Sequence, residues 1–442
     1  MNPSKGNELL SVAEEIVSHV KNLAEYLSTQ SISPPSLDVG ARTKLWTIHT
    51  GAVEEHRAAI SGLTQRLDKL LQGPHGFLHE YVSTNWEHGA LYTLIEYGVL
   101  EAMPLHRVAT IGQLAENTAL PIEKLLRICR LAACAGILKE ADDGVFAHTV
   151  ISEELVRNAG FKSFIAFQLY ETRVASAHLA DSLRRPNPFW TGQSAFEYAW
   201  GKSMYEWHAG HPEKGDRFAK AMESVSKKAL DPGNDMIMNW FSSHPKLCED
   251  EKCLIVDVAG KTGSFAMDLA NTFPKLHIEV QDSSAAVLNK GKEILAAELS
   301  GRVKFQQREL FLTRSLLEHT ESDSDGSVPL VFLMRSAMWC HDDDNCIKLL
   351  RSFLPVLQAP TRPTLLISDL VSPALGTFEP HVERAFRRRD VTLMTMHNAK
   401  QRTSNEWVAL LKEASPRFKV EYFEQYSSHS CRGLWQVQLD SE

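Results

Sequence analysis

The chain has 442 residues, 43% hydrophobic and 23% charged, enough to bury a substantial core and to form two or three domains. A formal net charge of -8 excludes a general polyanion-binding surface, so nucleic acid is not an expected partner. No uncharged apolar run approaches the roughly 18 residues of a membrane span, and the N-terminus lacks a long apolar signal core, so a cytoplasmic protein without membrane contact is expected. The seven cysteines are scattered, odd in number and never spaced as CxxC, which points to reduced thiols and no metal site.

Along the chain, Val12, Ile16, Val20, Leu23 and Leu27, then Ile60, Leu63, Leu67 and Leu71, recur at helical spacing on either side of a Ser/Pro segment. They predict an all-helical segment over residues 1–75, whose apolar faces pack on their own domain or on a second copy of the chain. Residues 76–160 read as a winged helix: a helix from Ala90 to Tyr97, one opening at Thr110, one from Pro121, then the Asp-Gly turn within DDGVFAHT. Acids at Glu116, Glu123, Glu140, Asp142 and Asp143 offset Lys124, Arg127 and Arg130, so this region is expected to serve structure or dimerisation rather than DNA. Residues 161–245 form a helical stretch with a dense aromatic set, Phe167, Tyr170, Phe189, Trp190, Phe196, Tyr198, Trp200, Tyr205 and Trp207. Such a set serves as core or lines a large apolar pocket.

Residues 246–442 alternate strand and helix. Strands are predicted at Cys253–Val258, His277–Val280, Val303–Gln306, Val328–Met334 and Thr364–Leu370, and helices after AGKTG, at Ala285–Leu299, at Asp344–Leu357 and through Arg384–Asn398. Repeated βα units imply a doubly wound parallel sheet that binds ligands at the strand C-terminal ends, near Asp257, Asp282, Glu309, Arg335 and Asp369. The run Arg387-Arg388-Arg389 reads as a solvated helix face.

Seven blocks occur in one order: FAHTVIS, DRFAKAMES, IVDVAGKTG, EVQDSSA, RSAMWCHDDDNCIKLLR, LLISDLVSP and LMTMHNAKQRTSNEW. From about Trp86 onward the chain resembles the fungal cation-independent O-methyltransferases. The resemblance implies a winged-helix dimerisation domain, a homodimer and a Rossmann-like domain for S-adenosylmethionine (SAM), with no metal. It also implies cofactor contacts at Asp257, Gly260, Gly263, Asp282 and Glu309, and a substrate pocket at Met222, Asp369, Met394, Met396 and Asn398.

The chemistry-bearing positions depart from that family's pattern. Its cofactor loop reads about D-x-G-x-G-x-G, whereas here Ala259 and Lys261 replace two glycines. A lysine beside a sulfonium repels it unless the side chain turns outward. The family's base is a histidine; Trp339 stands there, with His341 two positions on as a relocated base. Gln401 stands where an acid orients that histidine.

These changes fit a reaction that needs conformational control and carbonyl polarisation but no net proton removal. The sequence looks like the methyltransferase-like pericyclases of fungal secondary metabolism, which close polyketide-derived intermediates by Diels-Alder, hetero-Diels-Alder or Alder-ene reactions. On this reading Trp339 walls the pocket, and His341, Arg335 or Lys261 activates a carbonyl. A true O-methyltransferase acting on a phenol or enol, and a non-catalytic homologue, remain alternatives.

Overall fold

The computed structural model describes residues 7–48, 51–184, 193–228, 232–309, 329–359, 362–426 and 431–440. Phe189 and Trp190 of the aromatic set lie outside the described residues. The chain divides into two compact units, Met1–Ala177 with Met204–Lys228 and Glu379–Val382, and His178–Ser203 with Ala229–Phe378 and Glu383–Glu442.

In the first unit, helix α1 (Glu8–Thr29) starts where the Asn7 side chain accepts the Leu9 N–H, and it buries Val12 and Leu27. Helix α2 (Gly51–Glu96) is broken at Gly73, whose φ of 63° Pro74 follows, so it consists of two helical arms. Leu71, Leu78, Tyr81, Val82 and Trp86 lie exposed along it. Helices α3 (Ile111–Thr118) and α4 (Ile122–Cys134) follow, the first opened by a capping box between Thr110 and Gln113. Strands β1 (Ala109–Thr110), β2 (Leu138–Asp142) and β3 (Val145–His148) make an antiparallel sheet in the order β1-β3-β2. Leu94, Leu100, Leu114, Leu125 and Phe146 close the core beneath it.

Helix α5 (Val150–Arg157) carries Glu153, whose carboxylate is wholly buried. It accepts the Gly40 N–H at 2.6 Å, Arg157 Nε at 2.6 Å and Arg42 Nη2 at 3.0 Å. Burial alone would raise its pKa, but these donors outweigh it and hold the group down at about 2. Helix α6 (Ala159–Phe167) runs into a π-helical turn, Gln168–Thr172, that presents the buried Glu171 to Arg217 of α7 (Pro212–Lys228) at 2.8 Å. The His208 ring stacks on Phe218 beside this pair, with centroids 4.9 Å apart. Phe167 and Trp207 are core here and Tyr205 is exposed, whereas Phe196 is core and Tyr198 exposed in the second unit.

The second unit is a seven-stranded sheet of order β6-β5-β4-β7-β8-β10-β9. Strands β4 (Leu254–Val258), β5 (His277–Asp282), β6 (Val303–Gln307), β7 (Leu330–Arg335) and β8 (Thr364–Leu370) are parallel. Strands β9 (Phe418–Tyr426) and β10 (Cys431–Leu439) add an antiparallel edge that the sequence reading did not anticipate. The apolar runs of β4 and β7 are buried on both faces, as a parallel sheet covered by helices requires. Helix α8 (Pro232–Ser242) packs Ile237 and Phe241 into this core, and Trp240 Nε1 donates to Gln436 Oε1 at 2.8 Å.

Helices α9 (Ser264–Thr272), α10 (Ala285–Ile294), α11 (Asp343–Ser352), α12 (Pro380–His397) and α13 (Ser404–Ala414) complete the alternation. Two expected helices are shorter than predicted. The one from Ala285 ends at Ile294 before a 3-10 turn at Ala297–Leu299, and the next yields after Ser352 to a short helix, Leu354–Leu357, with Pro355 in its first turn. From β4 the chain winds outward to β5 and β6, then returns to β7 on the other side, so the crevice opens at the C-terminal ends of β4 and β7. No helix among the described residues is long and apolar enough to cross a membrane.

Candidate functional site

The loop between β4 and α9 is built on backbone strain. Ala259 and Lys261 adopt φ of 58° and 57°, left-handed values that cost a side-chain-bearing residue about 1 kcal/mol each. Gly260 has no such latitude, since a Cβ there would lie 2.6 Å from Asp257 Oδ2 and 2.9 Å from Val280 Cγ1. The Gly260 N–H donates to the Gln281 carbonyl at 3.0 Å, and the Lys261 N–H to Asp282 Oδ2 at 3.2 Å. Asp282 Oδ1 accepts the Ser284 N–H at 2.9 Å, so this acid ties together the loops after β4 and β5.

Asp257, at the end of β4, is 1% exposed, and among the described residues neither carboxylate oxygen has a hydrogen-bond partner. Burial pushes it up to about 6, against the pull of Arg335 and Lys261. The Lys261 side chain is exposed, yet partial burial of its ammonium and then the Arg335 charge lower its pKa. Besides Arg335, the charges acting on that ammonium are Cys340, Asp369 and Asp282. No hydrogen bond or ion pair among the described residues uses it. Lys261 thus carries an exposed side chain whose ammonium interacts with charges at the ends of β5, β7 and β8. Arg335 ends β7, with its guanidinium 5.0 Å over the Phe265 ring and Nη1 3.3 Å from Asn234 Oδ1.

The turn after β7 starts at Ser336, where φ is 49° and the N–H donates to the Ser368 carbonyl at 2.8 Å. Trp339 Nε1 donates to the Ser336 carbonyl at 3.0 Å, which commits the indole's N–H to the turn itself. The buried Asp369 accepts the Met338 N–H at 2.9 Å and the Leu370 N–H at 2.7 Å, so it holds this turn. Burial raises its pKa, with Arg432 and the two N–H groups opposing. The Trp339 and His397 rings meet edge to face, with centroids 6.4 Å apart.

His341 and Cys340 both feel the charge of Arg402. Burial lowers the His341 pKa, Asp342 raises it and Arg402 lowers it further, and its carbonyl accepts Arg402 Nη2 at 2.9 Å. Cys340 is the residue that shares a field with Lys261 and Asp369, and burial pushes its thiol up to about 11. Cys340 therefore interacts with Lys261, and Arg402 acts on both Cys340 and His341.

At the end of α12, Met394 is half-buried and Met396 buried, while Asn398 takes a left-handed φ of 53° and closes the helix by donating its N–H to the Met394 carbonyl at 3.0 Å. Gln401 is buried, and its N–H donates to Asp390 Oδ1 at 2.6 Å. With its amide oriented to satisfy both ends, the oxygen accepts Arg389 Nε at 2.6 Å and Nη2 at 3.0 Å, and the nitrogen donates to the Phe386 carbonyl at 3.0 Å. Burial, then Arg432, push Arg389 down to about 10. The expectation of a solvated arginine run is corrected here. Only Arg388 is exposed, since Arg387 binds Glu383 and Ser372 and Arg389 turns inward to Gln401.

The structure thus gathers Asp257, Gly260, Lys261, Gly263, Asp282, Arg335, Trp339, His341 and Asp369 on the strand C-terminal ends of one sheet. Glu309 is exposed beyond the end of β6, and Met222 belongs to α7 of the first unit. Sequence reasoning missed Cys340, Arg389, Arg432 and His397. The signal for His397 lay within LMTMHNAKQRT, whereas Arg389 was hidden by its charged neighbours. Among the described residues, no three His, Cys, Asp or Glu side chains converge to hold a metal.

Residues 177–417 match the model of the O-methyltransferase domain family. "O-methyltransferase phnC" from Penicillium herquei is 54% identical over 418 residues, covering 94% of this chain and 96% of that protein. Two solved structures share the fold at lower identity. OxaC in complex with SAH and oxaline superposes with a TM-score of 0.74 at 17% identity, over 98% of this chain and 99% of its own. A structure described as "A Pericyclic Reaction enzyme" gives 0.69 at 16% identity, over 97% and 100%. A glycine-pinned loop, an acid at the end of β5 and a sheet of this order, with a close relative along nearly the whole chain, agree: the chain belongs to the O-methyltransferase family.

Proposed function

We propose that this chain is an O-methyltransferase-fold pericyclase that closes a polyketide-derived, unsaturated carbonyl intermediate of fungal secondary metabolism. One observation carries the reading: at the turn where the family keeps its base, the indole N–H of Trp339 is spent on Ser336 and the neighbouring Cys340 is a neutral thiol. Neither of these two side chains takes a proton from a hydroxyl. Lys261, in the loop after β4, and Arg335, at the end of β7, would supply positive charge to a carbonyl oxygen, which lowers the barrier to cyclisation without net proton transfer. Met394, Met396, Asn398 and Trp339 would shape the chain for closure. The likeness to a structure described as a pericyclic reaction enzyme supports the fold's competence for this.

The cofactor implied by the family is SAM, which would supply an electrophilic methyl group and a fixed sulfonium charge. The close approach of Gly260 to Asp257, the unpartnered Asp257 carboxylate and Asp282 at the end of β5 fit its nucleoside half. The helices and antiparallel sheet of residues 76–160, with the exposed apolar arm of α2, suit a winged-helix module that pairs two copies in the cytoplasm.

The competing reading is ordinary O-methylation of a phenol or enol, with His341 as base. The relative from Penicillium herquei, named an O-methyltransferase, favours it. Incubation with methyl-labelled SAM and a panel of phenols and enols separates the two. Cyclisation predicts no labelled product, and gain of labelling in Trp339→His; efficient labelling by the wild-type chain would sink the pericyclase reading. A non-catalytic homologue would give neither labelling nor turnover of a quinone methide or polyene test substrate.

A further inference from the structure

We infer that His19 and His56 form an acid-released latch that holds α1 against the first arm of α2. It is independent of cyclisation and of the cofactor site, since both helices belong to the first unit. The two helices run antiparallel: Glu8 pairs with Arg66, His19 meets His56, and Leu27 packs in one cluster with Val53. On α1, Val12, Ile16, Leu23 and Leu27 make an apolar stripe with His19 in its middle; on α2, Val53, Ile60, Leu63 and Leu67 do the same around His56. Both histidines thus stand at seam positions where helical spacing calls for an apolar residue. A polar pair in such a seam costs stability and fixes register.

The rings meet through their Nδ1 atoms at 3.0 Å, with centroids 5.2 Å apart and planes at 60°. A hydrogen bond between two Nδ1 atoms needs a hydrogen on one and a lone pair on the other. The contact therefore holds while both rings are neutral, or while only the donor ring is charged, and fails once both are imidazolium. N–H then faces N–H, with like charges at contact distance. Among the described residues neither ring pairs with a carboxylate. Glu15, one turn before His19, is exposed and bonded to Ser11. Glu54 pairs with Arg57 beside His56, and that guanidinium donates to the Leu45 and Ile48 carbonyls. Lys44, in the 3-10 turn Lys44–Thr47, and His381, packed at Gly62 of α2, bring no negative charge. What else secures α1 is slight: the exposed Glu8–Arg66 pair and the small cluster of Leu27, Leu45 and Val53. Histidine in ordinary surroundings charges around pH 6.5, so acid of about pH 5 releases α1 and bares Val12 and Leu27.

Amide hydrogen exchange of the full chain at pH 7.5 and pH 5, corrected for the intrinsic rate at each pH and run with and without EDTA, tests this. Amides of α1 should lose about tenfold in protection at pH 5, because the released state binds one proton more than the latched one and a freed helix of this length frays. Strands β4 and β7 should keep theirs, and EDTA should change nothing. His19→Asn leaves His56 a neutral acceptor and should keep α1 protected at pH 5. The double variant His19→Leu with His56→Leu completes the apolar seam and should do the same, which covers poor folding of the first variant. Equal protection of α1 at both pH values in the wild-type chain, or an acid loss that persists in both variants, would overturn the inference. So would loss of protection throughout the chain at pH 5, since acid would then unfold the protein rather than release a helix. Loss caused by EDTA at pH 7.5 overturns it too, because a shared metal cation and not a shared hydrogen would then join the rings.

Discussion

Glu153 and Asp257 are both carboxylates with at most 1% exposure, one in each unit, and their surroundings are opposite. Glu153 has a backbone N–H and two guanidiniums within hydrogen-bond reach and sits at about 2, while Asp257 has no hydrogen-bond partner among the described residues and sits at about 6. The first arrangement ties a loop, through Gly40 and Arg42, to α5. The second leaves a buried acid unsatisfied at the head of the crevice, where a fold optimised for stability alone would have placed an apolar residue or a partner. Polar groups at the strand ends of the sheet are thus held ready for something that is not the protein.

The largest test removes the tether. Glu153→Ala leaves the Gly40 N–H and two arginines without their acceptor, and the first unit should lose about 2–3 kcal/mol, read as a fall in Tm. An unchanged Tm would make the contrast with Asp257 meaningless.

Next comes Asp257→Asn, with the opposite sign. The folded-state pKa of Asp257 is raised from 3.8 to about 6, so the native state holds its proton longer than the unfolded chain and stability falls as pH rises through that window. The ligand-free variant should be about 2 kcal/mol more stable than wild type at pH 8 and indistinguishable near pH 4, by urea denaturation. Glu153 behaves the other way: its contribution is complete above about pH 4.5 and is lost as pH falls towards about 2.

A smaller gain is expected of Gln401→Glu, which would pair Arg389 with a carboxylate and raise stability by about 1 kcal/mol. It should not create methyl transfer, because Trp339 would still stand at the position of the family's base. The exposed Arg66–Glu8 pair, at 2.7 Å, sets the floor; Glu8→Gln should change stability by less than about 0.5 kcal/mol.

The parallel half of the sheet was legible because LIVDV, HIEVQD, LVFLMR and TLLISDL are compact apolar runs at βα spacing. The antiparallel edge was not read, although FKVEYFEQY and CRGLWQVQL alternate, because no helical pattern separates them. At the site, the identity of Lys261, Trp339 and Gln401 was readable, but what each touches was not. Lys261 takes a left-handed backbone angle, the partner of Gln401 lies twelve positions away on α12, and the field that joins Cys340 to Lys261 and Asp369 has no linear signature. Residues 161–245 are divided between the two units, with Met222 in the first, which no linear pattern reveals.

The unpartnered Asp257 also gives ligand capture a calorimetric fingerprint. With a pKa of about 6 in the free protein, a share of these groups is protonated in mildly acidic buffer. A ligand that donates a hydrogen bond or brings positive charge to the carboxylate drives that proton off, so the observed binding heat will track the ionisation enthalpy of the buffer. Titrations in phosphate and in imidazole at pH 6 should therefore differ by that enthalpy times the protons released, and the difference should vanish in Asp257→Asn.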